Sequence, residues 1–184
     1  MIRLLLALAL TTCLTACGGA TGATGSTGGA AGAVENRLSF SSSQIPSDGF
    51  ELTHVEATRH SMASAGKQYP AMIVQMANYD RGGGSYHPNP SEAGQRRVTL
   101  SFSGPAGGEL EPGVYRLDAG MGQGQGLSVG IEGGGRQVGL YNGEGSGEIV
   151  SIDDGRIVAQ VSLRDEEGTT IEARFAAEYS VSPY

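Results

Sequence analysis

Apolar and polar side chains alternate with a period of two along most of the chain beyond residue 36. Leu38 and Phe40 alternate with Arg37 and Ser39, and Phe50 to Ala57 repeats the pattern with a phase slip near His54 that suits a bulge. Residues 71–79 (AMIVQMANY) are apolar on both faces and predict a central strand. Further alternating runs hold Val98, Leu100 and Phe102; Val114 to Leu117, behind the turn pair Pro112-Gly113; Leu127, Val129 and Ile131; and Val138 and Leu140. Ile149 to Ile152 forms another short run, followed by Ile157, Ala159, Val161 and Leu163, and by Ile171, Ala173, Phe175, Ala177 and Tyr179. Asp153-Asp154-Gly155 and Asp165-Glu166-Glu167-Gly168 separate the last three runs, and such tips supply the positive φ that tight hairpins need. Short runs of period two punctuated by Gly, Pro and Asp predict an all-β body. We read a single antiparallel β-sandwich or barrel-like domain of about ten short strands with a C-terminal meander. Its hairpin over 156–181 should turn Ile157, Val161, Ile171 and Phe175 inward, and Arg156, Gln160, Glu172 and Arg174 outward. At most one helical turn fits, at Ser91 to Arg96.

The first residues follow a different pattern. Met1-Ile2-Arg3 carries one positive charge, Leu4 to Leu10 is apolar but too short to span a bilayer, and small residues follow. These are the parts of a secretory signal. Leu14-Thr15-Ala16-Cys17 resembles the lipobox of bacterial lipoproteins. The resemblance implies acylation of the Cys17 thiol, with palmitate among the chains, cleavage just before Cys17, and acylation of the new amino terminus. Cys13 fits worse, because Thr12 precedes it. Several acyl chains on one residue anchor a protein stably, where a single chain does so only marginally. Gly18 follows the cysteine. In a host with two membranes, an Asp there would resemble an inner-membrane retention signal, so Gly18 favours the outer membrane.

Residues 18–33 are Gly, Ala, Thr and Ser only, without a charged or large side chain. Such a segment cannot bury enough apolar surface to offset the entropy of ordering it, and is expected to act as a flexible linker spanning roughly 20–25 Å. The chain therefore divides into a signal peptide at 1–16, the acylated cysteine with its linker at 17–36, and an all-β domain at 37–184. The segment from Pro112-Gly113-Val114-Tyr115 through Gly143-Glu144-Gly145-Ser146-Gly147-Glu148 to Ala173-Arg174-Phe175 resembles uncharacterised all-β lipoprotein domains of bacteria over about residues 108–181. That likeness implies a sandwich-like body and carries over no functional residue.

Composition narrows the function. Of 184 residues, 31 are Gly, two are Cys and none is Trp, and the formal net charge is −7. Two cysteines make neither a disulfide scaffold nor a four-thiolate zinc site. Acylation of Cys17 would leave the body without a disulfide. An acidic chain without a Lys/Arg cluster lacks what a nucleic-acid binder needs to meet phosphates. The acidity is uneven: residues 109–184 carry thirteen acidic and five basic side chains, residues 34–108 six of each. The acidic half is expected to aid solubility.

Candidate chemistry is sparse. Met72 and Met76, with His54 and His60, could compose a copper site, yet no His-x-His or Met-x-x-Met array supports it, and Met is a common filler of cores. The acidic tips at 153–154 and 165–167 lack the spacing of a helix-loop-helix calcium loop. Ser61, Ser85 and Ser91 stand near His60 and His87 in sequence, without a Gly-x-Ser-x-Gly elbow. The segment 80–95 (DRGGGSYHPNPSEAGQ) is long for a loop and offers Arg81, Tyr86 and His87 as candidate ligand contacts. We expect no catalytic residue, no metal site and no cofactor. The expectation is an envelope lipoprotein held outside the cytoplasm through Cys17, with a non-enzymatic binding or structural module that meets another envelope protein or a small ligand. A small-ligand or metal-binding barrel is the alternative, and a hydrolase the third.

Overall fold

The computed structural model describes residues 34–80, 89–117, 119, 124–140 and 142–182. The chain divides into two units, Met1–Gly32 and Ala33–Tyr184, and the described residues belong to the second. Among them are ten strands and no helix: β1 (Arg37–Ser41), β2 (His54–Ser64), β3 (Lys67–Ala77), β4 (Arg96–Ser103), β5 (Gly113–Arg116), β6 (Gly126–Gly133), β7 (Arg136–Leu140), β8 (Gly143–Asp153), β9 (Arg156–Asp165) and β10 (Thr170–Val181).

All ten strands belong to one sheet. One antiparallel half runs β2-β3-β4-β6 with β7 beyond, and the other runs β5-β8-β9-β10 with β1 beyond. Two parallel contacts join the halves: Tyr179–Val181 of β10 lies on Ala57–Arg59 of β2, and Arg116 of β5 on Gly126 of β6. The order β10-β2-β3-β4-β6-β5-β8-β9 thereby returns to β10, and eight strands close a barrel. Of the two expected architectures the barrel is the one formed. The purely antiparallel expectation gives way at the two joints, where one strand edge is shared. β10 gives Thr170–Arg174 to β1 and its last residues to β2; β6 gives Val129–Gly133 to β7 and Gly126 to β5.

The C-terminal meander forms as the alternation requires. Ile157, Val161, Ile171 and Phe175 are buried and Arg156, Gln160, Glu172 and Arg174 are exposed. Asp154 and Gly155 both have positive φ, 39° and 83°, as a two-residue type I′ hairpin demands. The β2–β3 hairpin turns the same way on Ala65 and Gly66, at 50° and 74°. Its strand β2 continues to Ser64, seven residues past the alternating run that ends at Ala57. Phe50 to Thr53, read as the start of a strand, is irregular. Phe50 meets Phe40 edge to face, with ring centroids 5.2 Å apart, so this apolar stretch serves packing at the barrel's end, and only Thr53 bonds to the sheet, its N–H on the Ala77 carbonyl at 3.0 Å. Ser91 to Arg96 makes only a turn, closed by the Gln95 N–H on the Glu92 carbonyl at 3.1 Å.

The interior is built from the inward positions of every strand. Met72, Val74, Met76, Leu100, Phe102, Tyr115, Ile131, Ile157, Ile171 and Phe175 have essentially no exposure and join one core. Strand β8 meets these large residues with glycine: a β-carbon on Gly147 would stand 2.8 Å from Phe102 Cε1 and 2.9 Å from Leu127 Cδ2. Gly145, at φ 105°, lies against the backbone of β9, where a β-carbon would strike the Ser162 carbonyl oxygen.

Candidate functional site

Each end of the barrel is covered by its own chain. At one end the β1–β2 connection puts Ile45 into the core and packs Phe50 and Leu52 against it. Arg96 Nε donates to the Pro46 carbonyl (3.0 Å), Arg136 to the Gln44 carbonyl (3.5 Å), and Gln44 Nε2 to Glu167 (3.2 Å). At the other end the β4–β5 connection inserts Leu110 into the core. It is held by the Gly107 N–H on the Gln68 carbonyl (2.9 Å) and by an Arg59–Glu109 ion pair (3.5 Å). Tyr115 reaches this connection too, its hydroxyl donating to the Glu111 carbonyl at 2.7 Å, and burial pushes its pKa above the ordinary tyrosine value. Among the described residues the barrel interior is thus filled, and the open groove they form lies on the outer wall.

The structure separates the candidates for a metal. Met72 and Met76 point into the core, whereas His54 and His60 sit opposite Ala77 and Ala71 on the outer face of β2 and β3. The sheet stands between the two pairs. His60 Nε2 is buried without a hydrogen-bond partner, and desolvation lowers the pKa of the ring. Ser61 follows His60 on the opposite face and donates to Gln68 Oε1 at 2.7 Å, so the two do not form a nucleophile–base pair. At the 165–167 tip Asp165 Oδ1 accepts the Thr169 N–H at 2.6 Å, which closes the turn, and Glu167 accepts from Gln44 Nε2 of the β1–β2 connection.

Arg81, Tyr86 and His87 lie outside the described residues, as does Cys17. The stem of the segment that carries the first three is built with care. Asn78 accepts the Arg96 N–H at 2.7 Å and donates to the Gly94 carbonyl at 2.9 Å. Beside it Arg97 pairs with Glu132 at 2.5 Å and donates to Asn89 at 2.8 Å, with both charged side chains almost wholly buried.

Sequence reasoning did not find the groove that crosses the outer wall of β5, β8, β9, β10 and β1. Its volume is about 220 Å³. The register places Val114, Glu148, Gln160, Arg174 and Arg37 in one row across these five strands. A second row holds Ser146, Ser162 and Glu172, and its two serines leave the trough between taller neighbours. Gln160 Nε2 donates to Glu148 at 2.6 Å, and the Ser162 hydroxyl donates to Glu172 at 2.6 Å. A second depression, about 450 Å³, continues past Arg37 along β1. Outward placement of these residues was legible from the alternation, but their meeting was not, because five separate strands supply them. Comparison with protein-family models, curated proteins and solved structures finds no match.

Proposed function

We propose that the chain is a lipid-anchored protein of the cell envelope whose barrel is a non-enzymatic binding module working through its outer wall. The observation that carries the second half of this reading is the filled interior. With Ile45 and Leu110 set into the core at opposite ends and Phe102 pressed on Gly147, a ligand within the barrel would have to displace packed side chains. The open groove on the wall of β5, β8, β9, β10 and β1 offers polar groups without any such rearrangement. Support for the anchor comes from Leu14-Thr15-Ala16-Cys17 and the glycine-rich stretch after it, which would let the barrel reach away from the lipid surface. The location that follows is outside the cytoplasm, and the outer membrane where the host has two. The partner is another envelope protein or a small ligand, and no nucleic acid is involved.

The test is metabolic labelling with a palmitate analogue in a bacterial host, followed by membrane fractionation. The wild-type chain should be labelled and membrane-bound. Cys17→Ser should be unlabelled and released. Equal labelling and retention of the two would end the anchor reading.

A further inference from the structure

We propose that Arg37 and Arg174 form a clamp for an oxyanion, a carboxylate or phosphoryl group carried by the ligand of the outer groove. The two residues are direct partners in the antiparallel β1–β10 register, and both line the groove. Side chains so placed have β-carbons about 4.5–5.5 Å apart. Like charges directly opposite each other in a sheet are unfavourable, and a chain that only had to fold would gain by replacing one of them.

The acids in the same groove soften this repulsion through space, but neither forms an ion pair with Arg37 or Arg174. Glu148 is engaged by Gln160, and Glu172 by Ser162, both neutral donors at 2.6 Å. Arg59–Glu109 and Arg97–Glu132 are ion pairs between described residues, and neither Arg37 nor Arg174 takes part in them. Two exposed guanidinium groups, each a planar fork of N–H donors, therefore face the same space with their hydrogen-bonding capacity unspent. A carboxylate or phosphoryl group between them would accept bidentate, charge-assisted bonds and cancel the repulsion at once. Glu172, two residue pairs along the strands and on the same face, sets a limit on the ligand: it disfavours negative charge spread along the trough and admits it at the arginine end. The trough then leads over Ser162 and Ser146 toward Val114, an apolar side chain left 50% exposed at the far end. Four strand spacings separate Arg37 from Val114, roughly 19 Å, so the ligand that fills the groove is extended, with its anionic group at one end.

This inference rests on the outer wall being the working surface. It stands or falls separately from acylation of Cys17. The full chain, isotope-labelled at arginine and held in a mild zwitterionic detergent, is titrated with inorganic phosphate and separately with acetate. Each is exchanged against chloride at constant ionic strength, while the arginine Nε–Hε resonances are followed. We expect saturable shifts at Arg37 and Arg174, with a midpoint raised about fivefold or more in Arg37→Gln and in Arg174→Gln, since each removes one of two charge-assisted donors. Arg156→Gln, beyond the groove, should keep the wild-type midpoint. Saturation by phosphate alone assigns a phosphoryl ligand, and saturation by both probes a carboxylate-compatible clamp. In a parallel arm without added phosphate or acetate, Arg37→Gln should raise the melting temperature at low salt. Shifts that grow linearly without saturating, or midpoints indifferent to both Gln variants, would overturn the clamp.

Discussion

Gly147 lies directly beneath Phe102, so close that a β-carbon on the glycine would be 2.8 Å from the ring. Leu127 Cδ2, at 2.9 Å from the same point, and Val161 Cγ2, at 3.3 Å, close the other sides. Phe102 itself is held edge to face on Tyr115, with ring centroids 5.3 Å apart and an interplanar angle of 89°. The ring has little room to retreat. Gly147→Ala should destabilise the barrel by about 1–3 kcal/mol, the usual cost of overpacking a filled core. Urea denaturation checks this, and a neutral effect would mean that the core is looser than its contacts indicate.

Phe175 and Glu172 test the register of β10. Phe175 is fully buried, whereas Glu172 is exposed and bonded only to Ser162. Phe175→Ala should cost ~3–5 kcal/mol. Glu172→Ala should stay within about 0.5 kcal/mol of wild type. Similar losses for the two would contradict the pairing, because a slip by one residue exchanges the faces.

Ala65 occupies the first central position of the β2–β3 turn at φ 50°. The left-handed region costs an L-residue with a β-carbon roughly 1 kcal/mol or more, and type I′ turns favour Asn there. Ala65→Asn should stabilise the protein by about 0.5–1 kcal/mol, read as a higher denaturation midpoint with an unchanged denaturant slope.

Tyr115 should make the barrel sensitive to alkali. Burial raises its pKa above 10.0 in the folded state, so the folded protein keeps a proton that the unfolded chain releases. The contribution is whole below pH 10.0 and is lost as the pH rises through the folded-state value. Stability should therefore fall with rising pH beyond 10.0, and in Tyr115→Phe this component of the slope should vanish. Ultraviolet titration of the folded protein should show one tyrosinate appearing late, and its persistence in the variant would refute the assignment.

Arg97 and Glu132 form an almost wholly buried ion pair, side chains 7% and 14% exposed. Arg97→Met leaves the Glu132 carboxylate without its countercharge and should cost about 3 kcal/mol or more. Adding Glu132→Leu should recover much of that loss, because a buried pair replaced by apolar side chains is often near neutral. Thermal melts of the single and double variants decide.

The hairpin over 156–181 was legible from sequence because its faces differ at nearly every step and its turn carries Asp154-Gly155. The first half of β8 was not. Gly143, Gly145 and Gly147 offer no side chains to alternate, because the space before Gly147 belongs to Phe102, Leu127 and Val161, which come from other strands. The far end of β2 was not legible either, because Ala65-Gly66 is a weak turn signal and because that end is partly wet on both faces. Period two states which way a residue points, but it is silent about which strand lies alongside. Hence the two parallel joints, and the meeting of Arg37 with Arg174, needed the fold.

The pairing of β1 with β10 decides how the barrel would carry a mechanical load. β1 is the first strand in the sequence, yet its described neighbour in the sheet is the last one, through five residue pairs from Arg37–Arg174 to Ser41–Thr170. A pull on the residues before Arg37 passes into the C-terminal meander, whose pairs run the length of β9, before it reaches β2. Along the strand axis all five pairs would resist together in shear, while a sideways pull would open them one at a time. A chain tethered at its N-terminal side would thus be held by its C-terminal half, and the wall would have its thinnest seams at the two parallel joints, three pairs between β10 and β2 and a single pair between β5 and β6.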